Sequence, residues 1–336
     1  MALHHGRVHR KGGQRVHELL VCQNGFLETA TPAAAIKEAL SRPDVIVWLD
    51  ITGPDDRDVA LLHEQFGFHP LAIEDATRSH ERPKVDAYGQ FYFIVFYTAR
   101  YNPETTEIEF EPLHLFIGAN YLVTVHARPI RQIADTVARW QMPNSPLGHK
   151  VSALVYALLD SIVDEYFPLM DQVADRIEEL EDTIFQHFDE SAIQTIFSLK
   201  SDLLRLRHIV APERDVLNVL LRRDLPVFRP DEAMYLQDIY DHIVRVTDNV
   251  DTYRDLLSSA LDSYLSLQSN NLNQIMKLLT MASIVLMSNA LVAGIYGMNF
   301  RFMPELNWRW GYPFALGLMA VISVILFIYF RMKRWL

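Results

Sequence analysis

Two groups of residues in this 336-residue chain could do chemistry, and both suit a hard divalent cation. The first is acidic: between Asp160 and Glu190 stand eleven carboxylates against one basic residue, Arg176. A solvated helix face is the plain reading of such a run. The other reading is a surface that gathers divalent cations, since carboxylate oxygens are the ligands Mg2+ prefers. The second group is neutral. Stepping back from Gly294 by fours and threes gives Ala290, Met287, Ser283, Thr280, Met276 and Asn273, all on one helical face. Bulky aliphatics such as Ile284, Val285, Leu286 and Leu291 flank that small or polar stripe. A face of this kind can line a wet ion path, or it can be a close helix–helix contact.

The elements that position these residues are legible in the hydropathy. Half of the chain is hydrophobic, and mean hydropathy is +0.03 although 22% of residues are charged. The apolar excess gathers in two charge-free runs, Leu278–Gly297 and Pro313–Phe330. Each spans roughly 27–30 Å as a helix, the thickness of a bilayer core. The connector carries Phe300, Phe302, Trp308, Trp310 and Tyr312, ring types that favour the membrane boundary. Lys277, Arg331, Lys333 and Arg334 on one side outnumber Arg301 and Arg309 on the other. That bias puts both termini in the cytoplasm. With no secretory h-region at the start, the expected location is the cell (inner) membrane, crossed twice.

Several function classes are excluded. A formal net charge of −11 argues against a nucleic-acid partner. A single cysteine, Cys22, removes disulfide scaffolds and CxxC metal sites. Neither a GxxxxGK[ST] phosphate loop nor an HExxH helix is present, so no enzyme is expected.

Before the membrane, the pattern predicts an α+β architecture. Val45–Leu49, Phe91–Tyr97, Leu113–Ile117 and Tyr121–Val125 read as strands, the last two joined at Gly118-Ala119-Asn120. Ala33–Leu40, Val59–Phe66 and Ile130–Trp140 read as short helices. After a Pro143–Pro146 linker come long helices, Val151 to about Phe188 and Ala192–Leu221. Pro226 and Pro230 precede a helix free of proline and glycine until Gly294. Within it Ile239, Ile243, Val246, Val250, Tyr253, Leu257, Ala260, Tyr264 and Leu267 form a four-three seam. That seam predicts packing against copies of the same helix, with a hairpin partner in the same chain as the blander reading.

The expected organisation is a basic, disordered tail (1–15), an α/β domain (16–145), acidic long helices (146–229) and a stalk that becomes the first span (230–298, the span from about 277). An outer loop (299–311), the second span (312–330) and a basic tail (331–336) complete it.

Tyr296-Gly297-Met298-Asn299-Phe300 ends the first span, followed by Met303-Pro304-Glu305-Leu306, Trp308-Arg309-Trp310-Gly311-Tyr312-Pro313 and the basic end Lys333-Arg334-Trp335-Leu336. This closely resembles the CorA family of magnesium and cobalt transporters, whose defining motif is Gly-Met-Asn at that place. Glu74-Asp75 with Arg82-Pro83-Lys84-Val85, and Asp238-Ile-Tyr-Asp-His242, resemble further family segments, so the likeness covers nearly the whole chain from about residue 16.

The resemblance implies a funnel-shaped homopentamer with a cytoplasmic α/β domain, a helical stalk and two C-terminal transmembrane helices. The first of these lines a central pore for Mg2+ and Co2+, and Ni2+ is a further candidate. Gly297, Met298 and Asn299 would form the outer selectivity ring, and Met276, Leu279 and Met287 a hydrophobic constriction. Asp75 of one subunit and Asp238 of its neighbour would bind regulatory Mg2+, with Glu74 and Asp160 as auxiliary acids. Mg2+ is then both substrate and regulatory ligand, the lipid bilayer and sister subunits are the partners, and no prosthetic group is expected. One departure stands out: where the family commonly has Met-Pro-Leu-Thr, this chain has Met287-Ser288-Asn289-Ala290. The kink is lost, and Asn289 must point inward or hydrogen-bond to a neighbouring helix. A zinc transporter of the same superfamily and a non-conducting divalent-ion sensor are the competing expectations.

Overall fold

A computed structural model describes residues 16–23, 26–30, 34–78, 81–105, 107–142, 150–186, 191–222, 233–298, 301, 303–304, 308–333 and 335. The chain divides into two compact units, residues 1–258 and 259–336.

The first unit is built on a seven-stranded sheet in the order β2-β1-β3-β7-β6-β5-β4. Its strands are β1 (Val16–Gln23), β2 (Phe26–Ala30), β3 (Val45–Thr52), β4 (Lys84–Ala87), β5 (Tyr92–Asn102), β6 (Glu107–Ile117) and β7 (Tyr121–His126). β3 and β7 pair in parallel, and the other neighbours pair antiparallel. Every residue of β3 is buried, so Val45–Leu49 reads as an apolar run instead of an alternation, and Asp50 and Thr52 beyond it are buried polar groups. The four expected strands fall within β3, β5, β6 and β7, save Phe91, which stands one residue before β5. At the expected hairpin the Gly118 N–H donates to the Tyr121 carbonyl at 3.0 Å. A Cβ at Gly118 would sit 2.2 Å from the Tyr121 ring, so only glycine fits there.

Three short helices lie after the strands they follow: α1 (Ala34–Leu40), α2 (Asp56–Phe66) and α3 (Pro70–Thr77). Ile36, Leu62, Ala72 and Ile73 from them join Val47, Leu49, Phe93, Phe116 and Val123 in one buried core. Sequence periodicity passes over α3, because eight residues give barely two turns of pattern. Its start is fixed locally: Pro70 stands in the first turn and His69 Nδ1 accepts the Leu71 N–H at 3.2 Å. On the sheet's other face, Trp48 tilts against Trp140 of α4 (Arg131–Trp140), with ring centroids 6.0 Å apart.

That second face carries a buried polar chain. Trp48 Nε1 donates to Thr124 Oγ1 at 3.0 Å, and Thr124 donates to Asp50 Oδ1. His126 Nε2 also lies 3.0 Å from Asp50 Oδ1, and its Nδ1 lies 2.6 Å from the Arg128 carbonyl. Both ring nitrogens therefore face acceptors, an arrangement that suits an imidazolium.

The expected single helix from Val151 is two, α5 (Val151–Asp164) and α6 (Tyr166–Gln186). Pro168 explains the break: it offers no N–H to the Asp164 carbonyl, and its ring crowds that group. α7 (Ser191–Arg222) follows and tolerates Pro212 in its interior. Beside that proline Glu213 is fully buried. Its Oε1 accepts the Tyr97 N–H at 2.8 Å, and its Oε2 lies 2.9 Å from the Tyr166 hydroxyl. The same hydroxyl is 2.8 Å from the Tyr97 carbonyl. One hydroxyl proton cannot serve both acceptors. Burial pushes the Glu213 carboxyl well up, and a protonated Glu213 supplies the missing donor.

α8 runs from Ala233 to Tyr296, 64 residues in length. Here the structure corrects one expectation. Ile239, Ile243, Val246, Val250 and Leu257 of the seam are fully buried inside the single chain. α7 flanks this stretch, with Arg207 Nε 2.7 Å from Asp251 Oδ1 and Lys200 Nζ donating to Ser258 Oγ at 2.9 Å. The four-three spacing named a buried face correctly, but here the same chain covers it.

In the second unit the rest of α8 and α9 (Gly311–Met332) are both long and apolar enough to cross a membrane. The fold is thus α+β followed by two apolar C-terminal helices. The tail 1–15, the Pro143–Pro146 linker, Pro226 and Pro230 lie outside the described residues.

Candidate ion pathway and metal-binding residues

In the second unit α8 presents two contrasting faces. Met281 and Val292 are buried, while Val285, Ser288, Asn289 and Tyr296 are half-buried. Asn289 Nδ2 donates to Ser323 Oγ of α9 at 3.0 Å, and the Ser323 hydroxyl donates to the Met319 carbonyl at 2.9 Å. This face is the contact with α9, and it resolves the polar Asn289 as a clasp to the neighbouring helix.

At about 100° per residue, the stripe Asn273, Met276, Thr280, Ser283, Met287, Ala290 and Gly294 lies roughly opposite. Its members are exposed, Thr280 alone being half-buried, and Leu279 beside them is exposed too. The contrast is large: Met287 is 72% exposed and Val292 8%. Thr280 Oγ1 donates to the Met276 carbonyl at 2.7 Å, so its lone pairs remain available to water or a hydrated ion. Gly297 and Met298 sit just past the end of α8, where the Gly297 N–H still donates to the Ala293 carbonyl at 2.8 Å. Asn299, the residue expected to complete the outer ring, lies outside the described residues.

The acidic candidates all lie in the first unit, in two groups. Glu74 and Asp75 are on α3. Glu74 pairs with Arg78, one turn on. Asp75 Oδ2 lies 2.7 Å from Lys84 Nζ on β4, and the same ammonium is 3.2 Å from Glu81 and 3.5 Å from Asp86. Burial alone would lower the Lys84 pKa, but the hydrogen bonds and charges of Asp75 and Glu81 outweigh it and hold the ammonium above its ordinary value.

The second group joins α5 to α8. Asp160, Asp164 and His242 offer ligand atoms within 4.8 Å of one another, and Asp238 Oδ1 lies 3.9 Å from His242 Nε2. Burial first, then the charges of Asp164 and Asp238, raise the Asp160 carboxyl above its ordinary value. A divalent cation would relieve that repulsion, and the donor set of carboxylate oxygens and one imidazole fits such an ion. The structure therefore brings Asp160 and Asp238 together and keeps them apart from the Glu74–Asp75 group. Asp164 and His242 were not singled out as ligands from sequence. The signal was present in the four-residue spacings Asp160/Asp164 and Asp238/His242, which stack two donors on one helix face.

Comparison with known proteins shows what the whole chain is similar to. A family model described as CorA-like Mg2+ transporter protein matches residues 43–334. The cobalt/magnesium transport protein CorA of Thermotoga maritima is 39% identical over 292 residues, 86% of this chain and 83% of that protein. The putative metal ion transporter YfjQ of Bacillus subtilis is 38% identical over 299 residues, covering 89% and 92%. Among solved structures, the complete CorA magnesium transporter from Methanocaldococcus jannaschii superposes with a TM-score of 0.82 at 26% identity, covering 96% of this chain and 99% of that one.

Proposed function

Because the chain belongs to the CorA-like Mg2+ transporter family, we propose that it carries Mg2+, and with it Co2+, through a pore formed at the axis of a homopentamer. Two helices cannot enclose an ion path, so α8 from several copies must pool its exposed stripe. The observation that carries this reading is that the small and polar face of α8 lies opposite the face occupied by α9. A helix buried on one side by its own hairpin and polar on the other is suited to a wet axis.

In this reading the helices cross the cell membrane with both termini in the cytoplasm, and residues 299–311 form the outer loop. Mg2+ gives up its water reluctantly. A ring of Gly297 carbonyls and Asn299 amide oxygens can hydrogen-bond to the hydration shell without stripping it. Neutral oxygens also hold the ion weakly enough to release it inward. Met276, Leu279 and Met287 form the constriction that closes by dewetting.

Regulation follows from charge. Asp75 and Asp238 of adjacent subunits, with Glu74 and Asp160 beside them, repel one another across the interface unless a cation intervenes. Cytoplasmic Mg2+ thus stabilises the closed ring, and its loss lets the subunits separate, by differential binding to two states.

Uptake of Mg2+ into proteoliposomes, with Co2+, Ni2+ and Zn2+ as competitors, tests the proposal. Asn299→Ala is expected to weaken selectivity, and Asp238→Ala to lift inhibition by internal Mg2+. Flux that keeps its selectivity in the Asn299→Ala variant would remove the filter from the proposal. A preference for Zn2+ would reassign the substrate, and no flux at all would leave a sensor.

A further inference from the structure

The residue that stands against Asp75 is a cation supplied by the protein itself. Lys84 Nζ occupies Asp75 Oδ2 at 2.7 Å and reaches Glu81 Oε2 and Asp86 Oδ2 at 3.2 and 3.5 Å. Its ammonium also lies 5.9 Å from the centroid of the Phe93 ring, and Phe93 is wholly buried in the core. The ammonium is therefore anchored on the last strand of the sheet and aimed at α3. One positive charge among three carboxylates leaves a residual charge of −2, which a single divalent ion would cancel. Partial exposure of the group leaves it open to such an ion: Asp75 is 23% and Lys84 31% exposed at the side chain.

We infer that Lys84 is a built-in competitor of the regulatory cation for Asp75, and that it sets the Mg2+ concentration at which the transporter closes. This rests on the reading of Asp75 as one half of the interface cation site. A tethered ammonium holds the carboxylate oxygen without paying the entropy of capture from solution. An incoming Mg2+ must displace that ammonium or share the oxygen with it, and either costs affinity. The competitor is weak by design of its chemistry: a single charge with rotatable N–H donors yields to a double charge, which a bidentate guanidinium would resist more strongly. With Lys84 present, low Mg2+ finds the Asp75 oxygen already paired, and the site fills only when the ion is abundant. Without it, Asp75, Glu81 and Asp86 repel one another and take up any divalent ion more readily.

The test uses the full-length protein in lipid vesicles. Two Mg2+ thresholds are measured: half-protection from trypsin, and half-inhibition of flux by internal Mg2+. Lys84→Met is expected to lower both by roughly tenfold, the effect of losing one nearby charge at a partly exposed site. Lys84→Gln, which keeps an N–H donor and serves if the Met variant fails to fold, is expected to lower them likewise. Lys84→Arg is expected to leave them in place or raise them, and Asp75→Asn to raise them. A purely structural lysine would give a different pattern, with every substitution weakening Mg2+ binding. If Asp75→Asn raises the thresholds while Lys84→Gln leaves them unchanged or raises them, the competitor role is overturned and the site reading stands. If Asp75→Asn changes nothing, the site reading itself fails, and the inference goes with it.

Discussion

Asn289 and Ser323 clasp the two apolar helices to each other through an amide-to-hydroxyl hydrogen bond of 3.0 Å. Both groups are half-buried, and the Ser323 hydroxyl is committed to the Met319 carbonyl, so the Asn289 amide N–H is the donor that joins the pair. In hydrocarbon such an interhelical bond contributes about 0.5–2 kcal/mol. Asn289→Ala and Ser323→Ala are each expected to lower thermal stability in detergent by that amount. The double variant should cost little more than the larger single loss. Fully additive losses would show that the two side chains do not act as a pair.

The opposite faces of α8 can be told apart by thiol chemistry. On a background in which Cys22, the only cysteine, is replaced by serine, Ser283→Cys and Met287→Cys are expected to react with a water-soluble thiol reagent in liposomes. Val292→Cys, at a buried position on the same side as Asn289, is expected to resist. Faster labelling at 292 than at 283 would invert the assignment of faces.

Glu213 offers a test of the first unit. Glu213→Gln keeps an acceptor for the Tyr97 N–H and an N–H donor for the Tyr166 hydroxyl, and should change stability by less than about 1 kcal/mol. Glu213→Ala leaves the Tyr97 N–H buried without an acceptor and opens a cavity, a loss of about 3 kcal/mol or more. Chemical denaturation of the full chain distinguishes the two. Equal losses would mean that the hydrogen bonds contribute little.

His126 makes stability depend on pH. Burial alone would lower its pKa, but the hydrogen bond and charge of Asp50 outweigh burial and raise it above the ordinary 6.5. A folded-state value above the unfolded one favours the protonated fold. The stabilisation is therefore complete below about pH 6.5 and is lost as pH rises through the raised value. Thermal stability is expected to fall across that window in the parent and to stay flatter in His126→Gln. A parallel decline in both would assign the effect elsewhere.

Much of this was legible in the residues alone. The two apolar runs, the stripe through Ser283 and Met287 and the strands at Val45 and Tyr121 follow from period and composition, which act locally. What escaped was non-local. Lys84 meets Asp75 only because β4 and α3 are brought side by side, and nothing in the nine-residue interval announces it. Asp164 and His242 converge from helices far apart in sequence. The partner of the seam at Ile239 to Leu257 stayed open between a copy and the same chain, because periodicity reveals that a face is covered and never whose side chains cover it. Pro168 was visible throughout and should have divided the helix that begins at Val151.

The buried chain from Trp48 through Thr124 and Asp50 to His126 has a consequence for how the sheet assembles. β3 and β7 are the single parallel pair among the described strands, with Asp50 opposite Thr124 and Thr52 opposite His126. Their union closes a long stretch of chain, and two greasy strands could zip together in several alignments. A shift by one residue would turn the Asp50 carboxylate away from the hydroxyl and imidazole that satisfy it and strand a charge in the interior. The polar chain thus acts as a proofreader, making a one-residue misalignment of these two strands costly.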